Sequence, residues 1–148
     1  MRGTTRWTPE TLRRKGFIVD DQLGSAAPTH PVTLILPYPP STWKLYTIVH
    51  NRKVLTQEAR YYRKVAVQAA TYQYRGHAPF QGALKVTMEL HQPSTHGLDV
   101  DNAQKAIFDA LTHARVWNDD RQIDEFHFTR VRHAANPYIS LTIEELSP

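Results

Sequence analysis

The periodic segments of this chain predict one mixed α/β (α+β) domain, in the order β-α-β-α-β-β, with helices packed on a mixed sheet. Three observations carry that expectation. Residues 84–90 alternate apolar and polar side chains, the mark of a strand buried on one face. Segments 56–74 and 102–113 carry apolar residues at helical spacing and separate the strand-like segments. With 148 residues and 41% hydrophobic content, the chain is long enough for one sizeable core.

In chain order, residues 1–30 form an amino-terminal appendage and linker, and residues 31–148 the main domain. Thr8-Pro9-Glu10 opens a short helix and Gly16 closes it. Asp20 to Pro31, rich in Gly, Ser, Ala and Pro, is linker-like. Val32–Leu36 is a β-branched strand ended by Pro37-Tyr38-Pro39-Pro40. Ser41 to Val54 shows few helix signals and is expected to be a loop or loose hairpin. Thr56 caps a long helix that runs to about Tyr74. After the strand at 84–91, Asp101 is expected to cap a helix from Asn102 to about His113. Two strands close the chain, at about 122–132 and 138–145, joined through Asn136-Pro137.

Lys plus Arg outnumber Asp plus Glu by 18 to 14, a net charge of +4 that favours a polyanionic partner. There is no cysteine, hence no disulfide framework, thiolate nucleophile or cysteine zinc site. No stretch has the length and apolarity to span a bilayer, and a cytoplasmic location is the expectation. Lys44, Tyr46, Arg52 and Lys53 mix cations and an aromatic ring in the 41–54 segment. That mixture suits phosphates and unstacked bases, or is an ordinary exposed loop. Arg60, Arg63 and Lys64 add a basic edge on the following helix, a pattern that solvated helix faces also show.

The chemistry-bearing residues are acidic. Asp99 and Asp101 are one residue apart, so an extended backbone would turn both carboxylates to one side. Lys105 follows four residues after Asp101, and Asp119-Asp120 returns after the predicted helix. Oxygen donors of this type suit a hard divalent cation, Mg2+ with Mn2+ as a substitute. A helix of about twelve residues rises roughly 18 Å. The segment after it can span roughly 20 Å, so Asp120 can approach Asp101 within one chain, or across a dimer interface. The plainer alternative is that Asp101 only caps its helix and the Asp119-Asp120 pair only makes a turn.

At these residues the sequence resembles the RusA family of Holliday-junction resolvases. The resemblance rests on Asp99-Val100-Asp101-Asn102 with Lys105, on Phe108-Asp109-Ala110-Leu111, and on Trp117-Asn118-Asp119-Asp120-Arg121-Gln122-Ile123. It extends upstream through Leu36-Pro37-Tyr38-Pro39-Pro40-Ser41 and covers about residues 32–146. It implies a homodimer that binds a four-way DNA junction and nicks opposing strands with Mg2+. By motif, Asp99, Asp101 and Asp120 would be metal ligands and Lys105 the catalytic lysine, with Asp119 less critical. Many relatives have Asn two residues after the Pro-Pro-Ser serine, where this chain has Trp43. A non-catalytic basic DNA-binding module of phage or bacterial origin is the competing reading. A nucleotide-sugar enzyme built on the Asp-x-Asp is a third, disfavoured because no Gly-rich nucleotide loop is present.

Overall fold

The computed structural model describes residues 26–39, 46–93 and 99–147. The expected helix at 8–16 and Lys44 lie outside the described residues.

β1 (Val32–Pro37), β4 (Leu84–His91), β5 (Ile123–Val131) and β6 (Tyr138–Glu145) form one sheet in the order β1-β6-β4-β5. β6 runs antiparallel to both β1 and β4, whereas β5 runs parallel to β4. A parallel neighbour needs a crossover connection. Here α2 (Val100–His113) provides it, between β4 and β5. The sheet is therefore mixed and the fold α+β, as the sequence predicts.

Period-two patterning divides the sheet into two faces. Leu84, Val86, Met88 and Leu90 on β4 are fully buried, as are Ile139, Leu141 and Ile143 on β6 and Leu34 and Leu36 on β1. The opposite face is polar: Thr33 and Thr142 meet hydroxyl to hydroxyl at 3.0 Å, and Lys85 lies 3.6 Å from Glu144.

On the apolar side, α1 (Gln57–Gln73) packs on β1 and on α2 through Ala59, Tyr62, Ala66 and Ala70. Small residues on that stripe let the helix approach closely. The Tyr62 hydroxyl, buried, donates to the Pro37 carbonyl at 2.6 Å. Burial drives its pKa far above the usual tyrosine range. At the far end of α1, Gln73 bonds both the N–H and the C=O of Ile35, at 2.8 and 2.7 Å. A side chain thereby occupies backbone groups that edge strand β1 leaves open.

Three expectations change. The 41–54 segment contains a regular hairpin, β2 (Tyr46–Val49) paired with β3 (Arg52–Leu55). Its two turn residues, His50 and Asn51, take φ of 50° and 60°, the left-handed region that two-residue hairpins require. Next, α2 begins two residues earlier than predicted. Asp99 is its cap, accepting from the Asp101 N–H at 2.9 Å, and Asp101 lies inside the first turn. Asp99 and Asp101 are thus joined through a helix start, not along an extended strand. Finally, β5 starts at Ile123, because Asp120–Gln122 forms a 3-10 turn. A bulge beside Leu84 then shifts the β4–β5 register.

Candidate active site

One helix and one turn position the acidic residues. Along α2, Asp101, Lys105 and Asp109 recur every four residues and so share a face. The helix's other face is apolar: Ala103, Ala106, Ile107, Ala110 and Leu111 are buried. Its end needs no glycine. Ala114 caps it, Arg115 takes φ 63°, and the N–H groups of Arg115 and Val116 return to the carbonyls of Thr112 and Leu111.

This reversal delivers Trp117 into the core. Its ring is fully buried, meets Phe108 edge to face at 5.7 Å, and donates from Nε1 to Thr112 Oγ1 at 2.7 Å. The next residues form the acidic turn, and Gln122 holds it. Gln122 Oε1 accepts from the N–H of Asn118 and of Asp119, at 2.8 and 3.0 Å. Gln122 Nε2 donates to the carbonyls of Phe80 and Gly82, at 2.9 and 3.0 Å. Asp119 closes a capping box with Gln122 and accepts from the Arg121 N–H at 2.9 Å.

The two neighbouring acids consequently differ. Asp119 is held below the usual carboxylate range, chiefly by the Arg121 N–H. Asp120 is pushed up, first by partial desolvation, then by its hydrogen bond with Asp119 and the charges of Asp119 and Asp109; Arg121 opposes this. The α2 carboxylate acting on Asp120 is Asp109, which also lies 3.7 Å from Arg63 of α1. Asp109 sits roughly 12 Å along the helix axis from Asp101. Among the described residues, no three His or acidic side chains lie close enough together to hold a metal ion.

Lys105 is exposed and projects toward the hairpin. Its ammonium lies 4.8 Å from the centroid of the Tyr46 ring, and Lys53 lies 4.3 Å from the same centroid. The contact with the Tyr46 phenol, foremost, and the charge of Asp109 raise the Lys105 pKa, so it stays cationic. Arg52, Arg60 and Lys64 are exposed, whereas Arg63 is half-buried against Asp109.

The structure therefore brings together Lys105 with Tyr46, and Asp120 with Asp119, within electrostatic reach of Asp109. It leaves Asp99 and Asp101 at the start of α2. Asp109 was not among the predicted site residues, although its place four residues after Lys105 was a readable signal. In donor chemistry the carboxylates fit a hard divalent cation, since all are oxygen ligands and Asp99, Asp101 and Asp120 are exposed.

An acid-and-lysine surface beside a basic arm is an arrangement suited to cleaving phosphodiesters, and the class of protein is a nuclease. The chain belongs to the family described as Endodeoxyribonuclease RusA, whose model matches residues 37–144. It is 32% identical over 117 residues to crossover junction endodeoxyribonuclease RusA of Escherichia coli K12, covering 77% of this chain and 94% of that protein. The Shigella sonnei Ss046 protein of the same name is 31% identical over the same length. That of enterobacteria phage 82 is 32% identical over 116 residues, 76% of this chain and 93% of the phage protein. No described helix is long and apolar enough to cross a membrane.

Proposed function

We propose that this protein is a structure-specific endodeoxyribonuclease that resolves four-way DNA junctions by paired nicks, using Mg2+ or Mn2+. The observation that carries the reading is the family match containing Asp99, Asp101, Lys105 and Asp120, two of them at the head of one buried-face helix. Asp99, Asp101 and Asp120 would hold the cation. When bound, it supplies a Lewis acid for the phosphoryl oxygens and lowers the pKa of an attacking water.

The remaining work falls to the chain's own groups. Lys105 offsets charge developing on the phosphate. Arg52, Lys53, Arg60 and Lys64, with Lys44, hold the flanking phosphates, which makes binding salt-dependent and largely independent of sequence. Tyr46 and Arg63 border the same surface, each already engaged by another side chain of the protein.

A homodimer, which the family resemblance implies, is the proposed working form. An isologous pair would present two equivalent sites to two equivalent strands of a junction. Residues 31–148 are taken as the nuclease domain and 1–30 as an appendage.

The dispersal of acids among the described residues supports a second reading, a basic DNA-binding module in which the acids only cap and turn. A nicking assay on a labelled four-way junction against matched duplex, with Mg2+ and with EDTA, separates them. Symmetric nicks on the junction, requiring metal, are expected. Asp101→Asn is expected to keep junction affinity while its nicking rate falls by at least about a hundredfold. Binding without cleavage in every metal would establish the second reading, and full activity of Asp101→Asn would remove that ligand assignment.

A further inference from the structure

An exposed lysine on a helix is a poor catalytic group unless something fixes it, because its flexible four-carbon stem samples many rotamers. Lys105 has such a partner. Tyr46 is the first residue of β2, half-buried, and packs against the core together with its cross-strand neighbour Leu55. Its ring is thus fixed at the base of the hairpin, while Ile48, two residues on, is 75% exposed. The Lys105 ammonium sits 4.8 Å from that ring's centroid, inside cation–π range. One turn further along α2, Asp109 acts on the same ammonium from its own element. Lys53 reaches the same ring from β3 at 4.3 Å. With two ammonium groups on it, the ring is already occupied by protein cations, which sets it apart from an aromatic side chain free to stack on a base.

We infer that Tyr46 is a positioning residue for Lys105, aligning the ammonium through its ring and phenol group and not by touching DNA itself. The inference rests on the nuclease reading only in that Lys105 is the group whose alignment matters. Displacement of such a group by about 1 Å costs up to roughly a hundredfold in rate.

The test has two arms. In the metal-free wild-type protein, NMR should place the Lys105 ε-methylene protons upfield of the other lysines, shielded by the Tyr46 ring, and Tyr46→Leu should return them to the common position. Single-turnover nicking of a four-way junction should slow roughly tenfold in Tyr46→Leu, with junction affinity held within about twofold. Tyr46→Phe, which keeps the ring and its packing but removes the phenol oxygen, should slow nicking by less than Tyr46→Leu does. In a Lys105→Met background, Tyr46→Leu should change the residual rate by less than about twofold, since coupled groups are not additive.

Lysine signals without the upfield shift would overturn the inference whether or not Tyr46→Leu folds. So would an equal loss in both backgrounds, a loss tracked by junction affinity, or Tyr46→Leu cutting at the wild-type rate. A wild-type protein that cuts no junction would defeat the nuclease reading instead, and the shielded lysine would still report the contact.

Discussion

The acidic turn at 118–122 and the β2–β3 hairpin both reach α2, yet they are built on opposite plans. The turn is tied down from below: Trp117 is buried beneath it, and Gln122 alone makes four hydrogen bonds, two to the turn and two to Phe80 and Gly82. The hairpin is held at its base by Tyr46 and Leu55, while Ile48, Val49 and the cations Arg52 and Lys53 stand exposed. Under the proposed function, the difference amounts to a division of labour. A carboxylate that must meet a cation needs fixed geometry. A cationic arm that follows a nucleic-acid backbone works through charge, which tolerates movement.

The largest expected effect falls on the anchored side. Trp117→Ala removes a fully buried ring, its edge-to-face contact with Phe108 and the bond to Thr112. Large aromatic truncations of this kind cost about 3–5 kcal/mol. Urea unfolding should show a loss of that size, with the acidic turn disordered and nicking gone even below the unfolding midpoint. A loss under about 1 kcal/mol would mean that the turn stands without its anchor, and the contrast with the hairpin would fail.

Next in size is a change at the hairpin tip. Asn51 has φ 60°, tolerable for Asn and costly for a β-branched residue. Asn51→Val should therefore strain the turn by about 1–2 kcal/mol. The cost should stay local, since segments with few buried contacts open independently of the whole. Amide exchange should accelerate across residues 46–55 while the global melting temperature barely moves, and junction affinity should weaken. A melting temperature that falls by the full equivalent would show that the hairpin belongs to the cooperative core.

The sequence was most readable where one face of an element is buried. The alternation of Leu84, Val86, Met88 and Leu90 located β4, and residues 138–145 located β6 to the residue. Thr56 marked the start of α1, where its Oγ1 accepts from the Ala59 N–H at 3.1 Å. The hairpin was less legible, for a physical reason: Thr47, Ile48 and Val49 are all exposed, so no burial imposes alternation, and His50-Asn51 lacks the glycine that usually signals such a turn. The shared face of Asp99 and Asp101 was inferred from an extended backbone, but competition for the helix cap decided it. Asp99 took the cap and turned the chain two residues early. Gln122 was matched only as part of a motif, although Asp119-x-x-Gln122 has the spacing of a capping box. Proximity of Asp109 to Asp120 depends on how the segment after α2 folds back, which no local pattern encodes.

The smallest effect is a matter of sign. The Asp120 carboxyl is pushed above the usual range by desolvation and by its acidic neighbours, so the folded state binds its proton more tightly than the unfolded chain does. Stability from this group therefore falls as pH rises from roughly 4 through the raised value, and the penalty is fully present at neutral pH. Asp119 works the other way: its lowered pKa gives stability above roughly pH 4 that is lost as pH falls through the folded value. Asp120→Asn removes the penalised charge and leaves Asp119's bond to the Arg121 N–H in place. Its stability to urea at pH 7 should equal or slightly exceed wild type, by no more than about 0.5 kcal/mol because solvent screens the exposed carboxylate, and the difference should vanish near pH 3. Nicking by the same variant should be lost, because the proposed cation site would lose one of its three carboxylates. Lower stability of Asp120→Asn at neutral pH would reverse the sign and make Asp120 part of what holds the turn.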